Sequence, residues 1–523
     1  MSRLSKIDKK INRYPISARL VAAALFSGLI YLLIFTLPFL LPKFYATIPP
    51  VDYAKLSNHS PIWFWLYVFG VALLFGLYLW AIYLTAPTIN GNKHPTSGVR
   101  RSLFLSSITF AIILIFSYPL TAIDLFIYAI RTRGWALYRL QPLATPPEML
   151  PPADRWLGLA GEWVDAPSPY GPLWELFSLA GFYTSGGDFL PHLFALKIIA
   201  ALAYLGCAWL VYKILHRIRP DWALAGTLAF AWNPLVLFES VQNAHNDIAM
   251  VFFLLAAIWV FVQIKPPPLM GGGWRGVEAK APIYIVLFCL LLALSILVKF
   301  VTVIVAPFFL LVLAMQYSTW LRRGVAFAIY SVLIAIFVVV PMLPLWPGWG
   351  NWAVLKAGSG AGRSLLALLI LSLRNFLGTN TAFDLSRNLI LVIYVLIYLY
   401  FLWKTFSQLH RTTPSQITPP ISAAFYSLFW YVLLAAPVFH AWYLLWVVPL
   451  AALLLPRQRP LSAAIVFSIT ALLVIPYFET VRVWYPTLIQ NHLLGHLIGV
   501  PLLIVPPILS LIWPIRLGHT SEV

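Results

Sequence analysis

The stretch Trp232-Asn-Pro-Leu-Val-Leu-Phe-Glu-Ser-Val-Gln-Asn-Ala-His-Asn-Asp247 sets six strongly polar side chains, Glu239, Gln242, Asn243, His245, Asn246 and Asp247, into a chain otherwise built of apolar runs. In hydrocarbon an unpaired polar group costs about 2–7 kcal/mol, so such a cluster survives only beside a water-filled cavity, a ligand or other polar groups. A helical membrane bundle with one wet face accommodates it. The same stretch is the first candidate site.

The composition agrees. Of 523 residues, 61% are hydrophobic and 10% charged, against roughly a quarter charged in soluble domains. The expected fold class is an all-α polytopic membrane protein, a single integral membrane domain over residues 1–523 with no separate soluble unit. A formal charge of +19 would point to nucleic acid in a soluble domain. Here the basic residues are short clusters between apolar runs, as membrane orientation requires, and nucleic acid is set aside as a partner. Cys207 and Cys289 each lie inside an apolar run, far from metal or disulfide spacing, and read as packing residues. The basic amino terminus, with Lys10 and Arg13, leads into an apolar run long enough to span, which reads as a retained anchor rather than a cleaved signal.

Apolar runs able to cross a ~30 Å core lie near 17–41, 62–85, 102–123, 190–214, 222–242, 247–264, 283–298, 300–316, 324–345, 388–405, 421–438, 440–455, 461–477 and 497–515. The expectation is about 14 transmembrane helices. With the amino terminus cytoplasmic, the inner segments then hold Lys93, Arg100, Arg101, Lys213, Arg217, Arg219, Lys265, Arg275, Lys280, Arg322, Arg323, Lys404, Arg411, Arg457, Arg459 and Arg516. Both termini are expected in the cytoplasm of a multi-pass plasma-membrane protein. Most acids fall on the opposite side, which makes the outward face the working face. Two outer loops, about 124–190 and 346–387, exceed mere connections and are expected to carry interfacial helices. The inner Pro266-Pro-Pro-Leu-Met-Gly-Gly-Gly-Trp-Arg275 reads as a tether.

Asp124 follows an outward-going apolar run. A carboxylate there is half desolvated, as suits a general base that accepts a hydroxyl proton; a plain helix cap explains the isolated residue equally. Tyr128 and Arg131, four and seven positions on, share a helix face with Asp124 and suggest a lined cleft. Glu239, Asn243 and Asn246 or Asp247 likewise recur at helical spacing, with an interhelical polar clasp as the alternative. His245 points elsewhere unless the helix has ended. Lys299 interrupts an apolar run at the outer face, where it suits a phosphate or merely snorkels. Arg131, Arg133, Lys356, Arg363 and Arg374 are further outer cations. The Gly-rich Lys356–Arg363 segment lacks the ending of a phosphate loop and reads as an outer loop. His440, Trp442 and Tyr443 open an inward-going segment, where aromatic belts explain the rings and a phosphate or sugar hydroxyl would use the histidine. No clustered metal ligands, hydrolase triad or dinucleotide fingerprint stands in the chain, so no metal or cofactor is implied.

Asp124-Leu-Phe-Ile-Tyr128, Ser168-Pro-Tyr-Gly-Pro-Leu-Trp174, Trp232-Asn-Pro-Leu, Asn243-Ala-His-Asn-Asp247 and His440-Ala-Trp-Tyr-Leu-Leu-Trp446 resemble the polyprenol-phosphate-mannose-dependent mannosyltransferases of actinobacteria, multispanning GT-C glycosyltransferases. The resemblance implies an outward catalytic carboxylate in the first long outer loop, matched here by Asp124, and a lipid-phosphate sugar donor used commonly without metal. It implies an inverting hexosyl transfer, of mannose, from a polyprenyl-phosphate hexose to a glycan or glycolipid acceptor at the membrane lipid surface. Tyr170, in the second motif, joins the candidate substrate-binding residues. Asp124 stands between Ile123 and Leu125, where many related transferases carry a tandem acidic pair. A different class, a flippase or transporter of a polyprenol-linked glycan, would place its charges near the bilayer midplane in repeated halves. No repeat is evident, which favours an enzyme.

Overall fold

The computed structural model describes residues 15–87, 97–264, 281–349, 360–411 and 417–515. Lys10, Arg13, Lys93, Lys265, the 266–275 tether, Lys280, Lys356 and Arg516 lie outside the described residues. Among those described, the chain is helical apart from two isolated bridges, Leu40 with Ser117 and Gly362 with Val438.

Among the described residues, ten helices are long and apolar enough to span a membrane, from Ile16–Phe39 to His492–Ile512, or eleven if the bent pair Pro220–Ala231 and Pro234–Gln242 is one span. The remaining expected runs are present as bent or shorter apolar helices. The difference has local causes. Asn233-Pro234 bends the 220–242 run by 54°, because proline removes a backbone donor and starts a new helix whose first N–H groups Asn233 caps. The Asn233 carboxamide oxygen accepts from Leu235 N–H (2.9 Å) and Val236 N–H (3.4 Å). Lys299 splits the next long run into Ala281–Val298, a 3-10 turn over Phe300–Ile304 and Ala306–Ala314. The 440–455 run is a 3-10 turn, Ala441–Trp446, followed by the short helix Val448–Leu453. Broken helices of this kind survive in a bilayer only where protein surrounds them. Every residue from Trp232 to Met250 is buried.

The Asp247–Ile264 helix packs along Ala281–Val298 and Phe189–Ile218 at the middle of the bundle, and Gln458–Pro476 packs on His492–Ile512 at one side. Helices facing outward expose leucine, isoleucine and valine, for example Leu391, Val392 and Leu396 on Thr379–Arg411, as a lipid-facing surface does. Both cysteines are free and buried, as packing residues should be.

The first long loop departs from expectation in one respect. It does contain helices, Asp124–Tyr138 and Pro172–Thr184. Asp124–Tyr138 nevertheless does not lie as a half-exposed interfacial helix: Leu125 through Thr132 are all buried. Leu125–Ile130 are apolar around the whole circumference and have neighbours on every side, and exposure returns only in the last turn at Leu137 and Tyr138. The other long loop contains Leu365–Leu377, an amphipathic helix with Phe376 and Leu377 exposed, and the long span starts already at Thr379.

Candidate active site

Asp124 is the first residue of its helix, after Ile123 at the cap position. Its carboxylate faces the positive end of the helix dipole without capping it. Tyr170 Oη donates to Asp124 Oδ1 at 3.3 Å, and Tyr128 Oη donates to Tyr170 Oη at 3.5 Å. Burial, reinforced by the Asp124 carboxylate, pushes the Tyr170 phenol well above its usual range, so it remains a donor. The i, i+4 spacing thus does bring Asp124 and Tyr128 to one place, through Tyr170. Arg131 goes elsewhere. Its guanidinium donates to the carbonyls of Ala166 (3.1 Å) and Pro167 (3.4 Å) and fixes the chain that leads into Tyr170. Arg133 pairs with Asp154 at 2.7 Å and stacks over Trp156; it braces the loop.

Ser168–Trp174 is closed against its own following helix and held to the bundle at its middle. Ser168 Oγ donates to the buried Glu175 at 2.5 Å. Gly171 N–H donates to the Val298 carbonyl at 3.0 Å, in so close an approach that a Cβ would lie 1.9 Å from the Leu297 carbonyl oxygen. The contact lays the Tyr170 ring beside Lys299. Lys299 Nζ donates to both oxygens of Asp247, at 2.8 and 3.0 Å, and sits 5.4–5.6 Å from the ring centres of Tyr170, Tyr443 and Trp446. Trp446 Nε1 donates to Asp247 Oδ1 at 2.5 Å. The Lys299 side chain retains 17% exposure. It is caged by aromatic faces and a carboxylate, and does not snorkel away.

Around Glu239 helical periodicity fails, and the failure builds the site. Phe238–Gln242 widens into a π-turn, Ala244 takes a left-handed φ of 56°, and a new helix begins at Asp247. Glu239 and Asn243 remain neighbours, with Asn243 Nδ2 donating to Glu239 Oε2 at 2.9 Å. Asp247 opens the next helix and Asn246 is the turn residue before it, so they do not share that face as the spacing predicted. His245 turns back, its Nε2 3.3 Å from Glu239 Oε2. Thr121 Oγ1 donates to Glu239 Oε1 at 3.0 Å, and Leu120 N–H donates to Asn243 Oδ1 at 3.1 Å. These bonds tie the segment preceding Asp124 to the broken helix.

His245, Trp442 and His440 form a stack with 4.1 Å between successive ring centres. His245 Nδ1 and the carboxamide of Asn246 are buried without a hydrogen-bond partner among the described residues, while His245 Nε2 meets only the Glu239 carboxylate. Orphaned polar atoms cost about 1–3 kcal/mol each, which marks this wall as one that expects polar company. Arg363 pairs with Glu479, and its segment is stitched to the histidine segment by Gly362 N–H to Pro437 (3.2 Å) and Phe439 N–H to Gly362 (2.9 Å). Arg374 is an exposed residue of the amphipathic helix.

Sequence reasoning missed several residues. Trp446 stood inside a quoted motif and Thr121 three residues before one, but their partners Asp247 and Glu239 are distant in sequence. Glu479, an acid within an apolar run, carries the signal that revealed Glu239; it and Asp52 line a cavity of about 10 Å³ floored by Thr121. Glu162 lies within the field of Asp124, and desolvation and that charge push its carboxyl above the usual range. No three His, Cys, Asp or Glu among the described residues converge at metal-ligand spacing.

Residues 41–315 match a family described as the alpha-(1->6)-mannopyranosyltransferase N-terminal domain, and residues 359–494 match the MptB C-terminal domain. No curated protein matches. Among solved structures, the chain is similar to ArnT from Cupriavidus metallidurans bound to undecaprenyl phosphate, at 12% identity and a TM-score of 0.44 over 80% of this chain and 76% of that one. It is also similar to the oligosaccharyltransferase AglB from Archaeoglobus fulgidus in complex with an inhibitory peptide and a dolichol-phosphate, at 13% identity and a TM-score of 0.37 over 81% and 56%.

Proposed function

The chain belongs to the alpha-(1->6)-mannopyranosyltransferase family, and from that premise we propose that it moves mannose from a polyprenyl-phosphate mannose to a glycan or glycolipid hydroxyl, with inversion, at the outward face of the plasma membrane. Both termini are then cytoplasmic. A nucleotide sugar does not exist on that face, so the sugar must arrive on a lipid carrier, and the exposed apolar helices supply a surface along which an isoprenoid tail can lie.

One observation carries the reading. Tyr170 touches the carboxylate of Asp124 with its hydroxyl, and the Lys299 ammonium lies 5.6 Å from its ring centre. A base and a cation are thereby fixed on either side of one residue. Asp124 accepts the proton of the acceptor hydroxyl as that oxygen bonds to the anomeric carbon. The bond from that carbon to the phosphate oxygen breaks, and Lys299 offsets the charge on the departing polyprenyl phosphate. Phosphate leaves readily, so the reading assigns no acid to it. Asp247 and Glu239 are worse candidates for the base, because their oxygens are engaged by Lys299 and Trp446, and by Thr121 and Asn243. Glu239, Asn243, His245 and Asn246, with His440, Trp442 and Tyr443, form the wall that faces the sugar.

The test is transfer by the detergent-solubilised protein from a synthetic polyprenyl-phosphate mannose, which needs no sealed vesicle. Asp124→Asn is expected to abolish transfer with donor affinity retained. An active Asn variant overturns the assignment of the base, and transport without transfer overturns the activity.

A further inference from the structure

We propose that Asp247 is an internal counterion that occupies Lys299 until the donor arrives, so that donor binding and product release are exchanges of one anion for another. The proposal rests on the reading of Lys299 as the phosphate site. Lys299 Nζ has three N–H donors, and the Asp247 oxygens take two of them. Around the rest of the ammonium lie the faces of Tyr170, Tyr443 and Trp446. Rings attract a cation but do not neutralise it. A desolvated ammonium in this position requires an anion, and removing one member of such a pair strands the other.

Asp247 is also equipped to be left behind. The Trp446 indole N–H donates to its Oδ1 at 2.5 Å, so the carboxylate keeps a partner when Lys299 turns to phosphate. Asp247 is fully buried, while the Lys299 side chain retains 17% exposure. The cation is thus the approachable member of the pair.

The charges on the two ligands make the exchange useful. The donor is a phosphodiester with one negative charge. The product is a phosphomonoester with about 1.5 to 2 negative charges at neutral pH. A free Lys299 would hold product more tightly than donor and stall the enzyme after transfer. A competing carboxylate weakens both, and returns the cation to a neutral pair as the product departs. Asp247 is in these terms a positioning residue, because it acts through Lys299.

The experiment measures binding of undecaprenyl phosphate to the purified full chain, with kcat and donor KM beside it, for wild type, Asp247→Asn, Trp446→Phe and Lys299→Gln. Asp247→Asn should bind the lipid phosphate about tenfold more tightly, since a competing charge has gone, with donor KM and kcat both lowered. Trp446→Phe should bind it severalfold more weakly, because Asp247 then depends wholly on Lys299. A role confined to packing would weaken binding in both variants. Unchanged binding in Lys299→Gln overturns the phosphate reading and the exchange with it. Loss in Lys299→Gln without gain in Asp247→Asn overturns the exchange alone. If Asp247→Asn does not fold, unchanged or tighter binding in Trp446→Phe overturns the exchange.

Discussion

Asp124 and Asp247 show how much a carboxylate's neighbours decide. Asp247 is met by an ammonium and an indole at 2.5–3.0 Å, while the Tyr170 hydroxyl approaches Asp124 at 3.3 Å. A charge-assisted hydrogen bond contributes about 1.5–3 kcal/mol at best geometry. At this length the lower figure applies, and about 1.4 kcal/mol corresponds to tenfold in rate. Tyr170→Phe, which keeps the ring beside Lys299, is therefore expected to lower kcat/KM for transfer about tenfold, with a smaller loss for Tyr128→Phe, one bond further away. Initial rates on the two purified variants check the order; equal losses would mean that the tyrosines act only by packing. At this scale the candidates were partly legible. A carboxylate or ammonium in an apolar run is costly wherever it sits, so Asp124, Glu239, Asp247 and Lys299 announced themselves. Arg131 announced itself in the same way, yet it serves the carbonyls of Ala166 and Pro167, because cost marks a residue as needing a partner without saying which one.

The elements were legible where they run unbroken and obscure where they break. Continuous spans such as Pro61–Thr85 and Phe189–Ile218 follow directly from hydropathy. The π-turn at Phe238–Gln242 and the left-handed Ala244 do not, since periodicity describes only a helix that continues. The Ser168–Trp174 segment is the corresponding case among loops, fixed by a contact that no local pattern encodes. A methyl group at Gly171 would meet the Leu297 carbonyl at 1.9 Å, and the backbone there cannot yield as a flexible side chain does. Gly171→Ala should cost about 1–3 kcal/mol of stability and displace Tyr170, so that the thermal midpoint and kcat fall together. Thermal unfolding in detergent beside the transfer assay measures both. Wild-type values for the alanine variant would show that the loop sits loosely.

For the whole molecule, the alternation of apolar runs and basic clusters gave the correct class of architecture, and the runs that fall short of a straight full-length span are those broken within the bundle. Hydropathy sums over a window and cannot see a 54° bend. The proposed orientation is open to a direct test. The helix Phe189–Ile218 has 30 residues, about 45 Å at 1.5 Å per residue, so its ends must emerge on opposite sides of a membrane. Thr184 and Asp221, just beyond those ends, are both exposed. On intact cells an impermeant thiol reagent should label Thr184→Cys and spare Asp221→Cys, which reacts only after lysis; the two native cysteines are buried and should stay silent. The reverse pattern would turn the molecule over and remove the argument for a lipid-borne sugar.

The bond from the Trp446 indole to Asp247 spans 199 positions of sequence and joins the two matched regions, 41–315 and 359–494. Lys299 lies in the first, while Tyr443 and Trp446, two walls of its aromatic box, lie in the second. Neither region alone encloses that ammonium. A nascent polypeptide released from the ribosome before its last third is made would carry the proposed proton acceptor and the cation but only a fragment of their enclosure, so under the proposed mechanism competence to glycosylate arises only once late-translated helices have docked onto early ones.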